Sequence, residues 1–155
     1  MTDRLVVDAS VVAKAYLRDE DHSEISDSIL LEFAAGSLEL LAPQYILYEV
    51  PSTILNAVRQ RRLSAERGAD AIEEFLSLPL PTVGDDLTLP DMIRRAHALA
   101  RSAGCRLYDA LYLVVAQEFD APLITADGRL YRGMARKVPQ VVWIGDYEPR
   151  PERSP

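Results

Sequence analysis

The chain has 155 residues, 48% of them apolar and 26% charged, the length and composition of one soluble globular domain. Lys and Arg number 17 against 24 Asp and Glu, a net charge of −7, which excludes a protein held to nucleic acid or membrane by bulk positive charge. One cysteine, Cys105, and two histidines, His22 and His97, exclude an intramolecular disulfide and a Cys/His zinc cluster.

Leu5-Val6-Val7 is a β-branched apolar run ending at Asp8 and predicts a buried strand. Helices are expected over residues 10–17 and 23–35, the second carrying Ile25, Ile29, Leu30 and Phe33 at helical spacing and closed by Gly36. Residues 38–41 read as a strand. From Pro43 to about Arg62, Leu47, Val50, Ile54 and Val58 fall on one helical face, and Pro51 predicts either a kink or a helix start close to it. Ser64 is placed to cap a further helix reaching about Leu76. After the connector Leu78-Pro79-Leu80-Pro81 come a short strand at Thr82-Val83 and a helix over 90–103 ended by Gly104. The last third predicts a helix over 108–119, a strand over 122–125, a helix over 128–134 and a strand over 141–144. Residues 1–147 are read as a single domain and the Pro-rich tail 148–155 as disordered. Alternating strands and helices imply a mostly parallel sheet with helices on both faces, whose ligands bind beyond the carboxyl ends of the strands. With no signal-peptide pattern and no apolar run near the ~18 residues of a membrane span, a cytoplasmic protein without membrane association is expected.

Four acids stand out. Asp8 and Asp127 directly follow apolar strands, Asp109 opens an apolar helix, and Glu49 lies on a polar stripe with Thr53, Asn56 and Gln60 beside the apolar face of its helix. Asp8, Asp109 and Asp127 are drawn toward the interior, where an unpaired carboxylate is costly and a shared cation removes the cost. Oxygen donors without His or Cys suit Mg2+ or Mn2+, and the matching chemistry is water activation at a phosphodiester. Ser10 and Thr125, each two residues from a strand-end aspartate, can offer a hydroxyl to a carboxylate, a metal or its water.

The set Val6-Val7-Asp8-Ala9-Ser10, Glu49, Leu107-Tyr108-Asp109-Ala110-Leu111-Tyr112 and Leu123-Ile124-Thr125-Ala126-Asp127, in this order over residues 3–145, resembles the PIN-domain ribonucleases, and among them the VapC-type toxins of bacterial toxin–antitoxin pairs. The resemblance implies a three-layer α/β/α fold with a central, mostly parallel sheet of four to five short strands. It implies further that Asp8, Glu49, Asp109 and Asp127 hold one or two Mg2+ or Mn2+ ions for endoribonucleolytic cleavage of RNA with water as the nucleophile. A homodimer and an inhibitory antitoxin partner belong to the same implication.

Other readings stay open on sequence alone. Asp8 can be a helix cap, Asp109 a carboxylate favoured by its helix N-terminus, Asp127 a turn former ahead of Gly128, and Ser10 and Thr125 cap and packing residues. Glu39 is an alternative to Glu49. Tyr108 and Tyr112 read as packing residues, Cys105, His22, His97 and Trp143 as structural or surface groups, and Asp19-Glu20-Asp21 as a solvated turn. Arg129, Arg132, Arg136 and Lys137 form a basic segment that can grip RNA phosphates, face solvent or anchor acidic antitoxin residues, with Arg59, Arg61 and Arg62 a second patch. As whole-protein alternatives, a PIN-like module can bind RNA or protein without cutting. A phosphohydrolase of the haloacid dehalogenase type also starts with a strand-end aspartate, but it needs a second Asp where Ser10 stands and a lysine for which Lys14 is poorly placed. A phosphate-loop NTPase is excluded because no Gly-rich Lys-Ser/Thr motif occurs.

Overall fold

A computed structural model describes residues 3–83 and 89–149. The strands are β1 (Asp3–Val7), β2 (Leu38–Pro43), β3 (Thr82–Val83), β4 (Leu123–Thr125) and β5 (Val141–Trp143). They form one sheet in the order β3-β2-β1-β4-β5, and each pairing is parallel. A central parallel strand is covered on both faces, so its end must be apolar throughout; Val6 and Val7 are accordingly fully buried. The strand order reverses direction at β1, which has β2 on one side and β4 on the other. Such a switch point opens a crevice beyond the strand ends, where Asp8 follows β1.

Seven helices accompany the sheet among the described residues: α1 (Ala9–Lys14), α2 (Ser23–Ala34), α3 (Ile46–Arg59), α4 (Ala65–Leu76), α5 (Leu89–Ala103), α6 (Leu107–Glu118) and α7 (Gly128–Met134). The result is a three-layer α/β/α fold. α6 runs through the interior, with every residue from Ala110 to Ala116 buried, as expected of a helix apolar on all sides. That burial pins Asp109, one residue earlier, at the edge of the core. α2 and α5 end before Gly36 and Gly104, whose φ values of +71° and +72° suit a residue without a side chain. Ser64 caps α4 by accepting a hydrogen bond from the Arg67 amide at 3.1 Å.

Several boundaries differ from the sequence reading. The first helix stops at Lys14, and Ala15, Tyr16 and Leu17 continue instead through tight turns whose amides bond to the carbonyls of Val12, Ala13 and Lys14. β2 extends to Pro43 because Ala42 and Pro43 pair with Thr82 and Val83 of β3, so α3 begins at Ile46 rather than Pro43. Its inward face is Ile46, Val50, Ile54 and Ala57, while Leu47 is exposed. α3 runs on through Pro51, giving up the main-chain bond that the carbonyl of Leu47 would otherwise accept. The Asp19-Glu20-Asp21 turn is tied down, not simply solvated: Arg62 reaches Asp19 at 2.8 Å and Glu20 at 2.7 Å, and Lys14 reaches Glu20 at 3.0 Å. Of the tail expected to be disordered, residues 150–155 lie outside the described residues. No described helix is long and apolar enough to cross a membrane.

Candidate active site

Beyond the carboxyl ends of β1 and β4 lies a cleft of about 470 Å3 whose walls include Asp8, Ser10, Lys14, Tyr45, Glu49, Arg106, Tyr108, Asp109 and Asp127. The four acids singled out in the sequence therefore reach one space from four parts of the chain. Glu39, the alternative to Glu49, instead pairs with Arg4 at 2.9 Å and is no part of the cleft wall.

Asp8 is the deepest of the four, 7% exposed. It starts α1 but caps nothing with its side chain. Both neighbouring hydroxyls donate to the same carboxylate oxygen, Oδ2: Ser10 Oγ at 2.5 Å and Thr125 Oγ1 at 2.8 Å. The two hydroxyls are themselves held, since Ser10 Oγ accepts the Ala126 amide at 2.9 Å and Thr125 Oγ1 the Asp127 amide at 3.0 Å. This arrangement ties the ends of β1 and β4 together and fixes the plane of the Asp8 carboxylate. Among the described residues Oδ1 accepts no hydrogen bond, so it is the oxygen available to the cleft.

Glu49 sits in the first turn of α3. Its Oε2 accepts the buried Tyr112 hydroxyl at 2.6 Å. Asp109 and Asp127 are bridged by guanidinium groups: Arg129 lies 3.1 Å from Asp109 and 3.5 Å from Asp127, and Arg106 lies 3.5 and 3.7 Å from the same two carboxylates. The other oxygen of Asp127, Oδ1, caps α7 by accepting the amides of Arg129 at 2.8 Å and Leu130 at 3.2 Å. Asp127 thus serves as a helix cap and as a cleft residue at once.

The electrostatics follow from burial and crowding. Desolvation pushes Asp8 up to about 6, against the pull of the Ser10 and Thr125 hydroxyls, with repulsion from Asp127 and Asp109 adding to the rise. Glu49 is pushed up to about 7 by desolvation first and then by Asp8 and Asp109, opposed by Tyr112 and Arg106. Burial also raises Asp109, although Arg106 pulls it down. Oxygen-only donors short of positive charge fit a hard divalent cation in chemistry. As the side chains lie, no three acidic, His or Cys groups among the described residues converge tightly enough to hold an ion; Arg106 and Arg129 stand across Asp109 and Asp127 instead.

The basic segment divides by its contacts. Arg129 pairs with two of the cleft's acids, Asp109 and Asp127, Arg132 and Arg136 are exposed, and Lys137 donates to the Ala103 carbonyl at 2.6 Å, closing the end of α5. Arg62 of the second patch is engaged by Asp19 and Glu20. Two cleft residues, Arg106 and Tyr45, carried no role in the sequence reading, and Tyr112, read there as packing, also holds Glu49. Arg106 was within reach of a spacing argument, because it lies three residues before Asp109 and such positions share a helix face. Tyr45 comes from the turn before α3, where no periodicity applies. Lys14, judged poorly placed to serve as the lysine of a haloacid dehalogenase-type enzyme, lines the cleft.

The chain belongs to the PIN domain family, whose model matches residues 5–134, from β1 to the end of α7. It is 27% identical over 143 residues to Ribonuclease VapC3 of Pyrobaculum aerophilum, which covers 90% of this chain and 98% of that one. It also shares its fold with PAE2754 from Pyrobaculum aerophilum, whose crystal structure matches with a TM-score of 0.63 at 20% identity over 94% of this chain and 93% of that chain. With that membership the haloacid dehalogenase reading falls.

Proposed function

We propose that the chain is an endoribonuclease dependent on Mg2+ or Mn2+, acting as the toxin of a type II toxin–antitoxin pair in the cytoplasm. The observation that carries this reading is the gathering of Asp8, Glu49, Asp109 and Asp127 in one cleft, with burial and mutual repulsion raising Asp8, Glu49 and Asp109 from their ordinary values. Carboxylates crowded in this way gain most from a shared multivalent cation. The likeness to a protein named as a ribonuclease supports RNA as the substrate.

Asp8, through its free Oδ1, and Glu49, Asp109 and Asp127 would hold the metal; bound there, Mg2+ or Mn2+ supplies water activation and neutralises charge on the departing oxygen. The chain's own part is positional and acid–base. Ser10 and Thr125 keep Asp8 from rotating, Tyr112 does the same for Glu49, and Glu49, which burial keeps protonated to about pH 7 in the metal-free chain, gives up that proton as the metal binds. Arg129 and Arg106, 51% and 61% exposed, are free enough to turn from the aspartates to an RNA phosphate. The antitoxin and a second copy of the chain are the proposed protein partners. Exposed Leu47, Tyr48 and Leu55 on α3 and Leu89 and Ile93 on α5 offer apolar surface for such contacts.

A second reading, a PIN module that binds without cutting, draws on the arginines lying across Asp109 and Asp127. Incubating total cellular RNA with the purified protein separates the two. Discrete fragments formed with Mg2+ or Mn2+, and lost with EDTA or in Asp8→Asn, are expected. RNA left intact by a protein that still titrates with Mn2+ in a calorimeter would favour the binding module.

A further inference from the structure

Tyr45 and Tyr108 stack in parallel on the wall of the acidic cleft, with ring centroids 4.4 Å apart and planes 7° from coplanar. Their surroundings are unequal. Tyr45 is half-buried and packed against the hydrophobic core, so it is the fixed base of the pair. Tyr108 lies on top, and although one face is covered by Tyr45 it remains 50% exposed, while Ala110 to Ala116 on the same helix are all buried. A flat ring with one face covered and half its surface in solvent presents its second face outward. Hydrophobic burial does not account for that placement.

We propose that the open face of Tyr108 is a stacking site for one unpaired nucleobase of the RNA, the base next to the phosphate held at the acidic cluster. This rests on the ribonuclease reading and deepens it. Tyr108 and Asp109 line the same cleft, so a base on the ring belongs to a nucleotide close to the one at Asp109. Arg106, 61% exposed and two residues earlier, is placed to take an adjoining phosphate. Any base offers a π face, so the site is tolerant of sequence, but a paired base in a duplex has no face to give. The proposal therefore makes single-stranded segments the substrate. It also supplies, in a protein of net charge −7, an attraction that does not depend on charge.

The test is binding of short single-stranded oligoribonucleotides with 2-aminopurine stepped through the sequence and phosphorothioate linkages to slow hydrolysis, in Mg2+, with sedimentation run on each protein. Stacking quenches 2-aminopurine. The wild-type chain should bind with quenching at one position, Tyr108→Phe should match it, and Tyr108→Ala and Tyr108→Leu should bind about 5- to 150-fold more weakly with the quench gone. An abasic residue at the quenched position should weaken the wild type by a similar factor and Tyr108→Ala hardly at all. Because the contact is uncharged, the ratio between wild type and Tyr108→Ala should hold as salt is raised. Equal binding by wild type and Tyr108→Leu overturns the stacking site and leaves the ribonuclease reading intact. A loss in Tyr108→Ala that tracks a change in sedimentation overturns it too, in favour of a protein contact at this ring. A wild-type chain that neither binds nor cuts RNA overturns both readings.

Discussion

The hydroxyl of Tyr112 is buried against a carboxylate oxygen that has the cleft on its other side. Taking it away in Tyr112→Phe keeps the ring and its packing, and removes the hydrogen bond that is the larger of the two influences, with Arg106, lowering the pKa of Glu49. Glu49 then keeps its proton to higher pH. If ionised Glu49 is needed for cleavage, the acid limb of the pH–rate profile should move upward, with activity near pH 7 down about fivefold for the first pKa unit gained. Activity should recover at higher pH, and the melting temperature should change little. A profile of unchanged shape would remove Glu49 from the reaction. The four acids were legible in the sequence because strand ends and helix starts are readable in apolar patterning. Tyr112 was not, because a buried tyrosine in an apolar helix looks like packing until its hydroxyl is seen to have a partner 63 residues away.

α3 and α4 meet through a glycine. A Cβ on Gly68 would come within 2.5 Å of Val58 Cγ2, and a β-branched valine on a helix has little rotamer freedom with which to yield. Gly68→Ala gains about 1 kcal/mol of helix propensity and incurs about 1–3 kcal/mol of overpacking, so a net loss near 1 kcal/mol is expected. Thermal melts check this, and Gly68→Ala with Val58→Ala should lose the overpacking part while leaving RNA cleavage unaffected in both. At this scale the sequence told most where elements end on glycine or start on a capping serine. It told less at Pro43, since the pairing that extends β2 depends on β3, about 40 residues further on. It also took Leu47 and Val58 for inward residues of α3 where Ile46 and Ala57 are buried, because adjacent apolar residues at the edge of a stripe are told apart only by what packs against them.

For the molecule as a whole, assembling the acids costs stability. In the folded, metal-free chain Asp8 keeps its proton to about pH 6; unfolded, it loses it near its ordinary value. Across that window the folded state binds more protons, so this contribution to stability falls as pH rises, by up to about 3 kcal/mol. Asp8→Asn lacks the penalty. Its melting temperature should gain on the wild type between pH 4 and pH 7 in EDTA, by several degrees at the top of the range. Carboxylates such as Asp19 and Glu20, whose pKa values are lowered by Arg62 and Lys14, act in the opposite sense but equally in both proteins. Saturating Mg2+ should raise the wild type and leave Asp8→Asn nearly unmoved. A gap that stays constant with pH would show that Asp8 is not desolvated as described.

The hydrogen bond from Thr125 to Asp8 spans 117 residues, and it joins the first strand of the chain to the fourth. During synthesis β1 can find β2 early, but its other edge waits until β4 has been made, roughly 6 to 23 s later at ordinary rates of elongation. Until then Asp8 has no fixed orientation, Asp109 and Asp127 do not yet exist as neighbours, and the cleft has no far wall. A nascent chain therefore carries no assembled carboxylate cluster beside the RNA of the ribosome that is making it until Asp127 has been added.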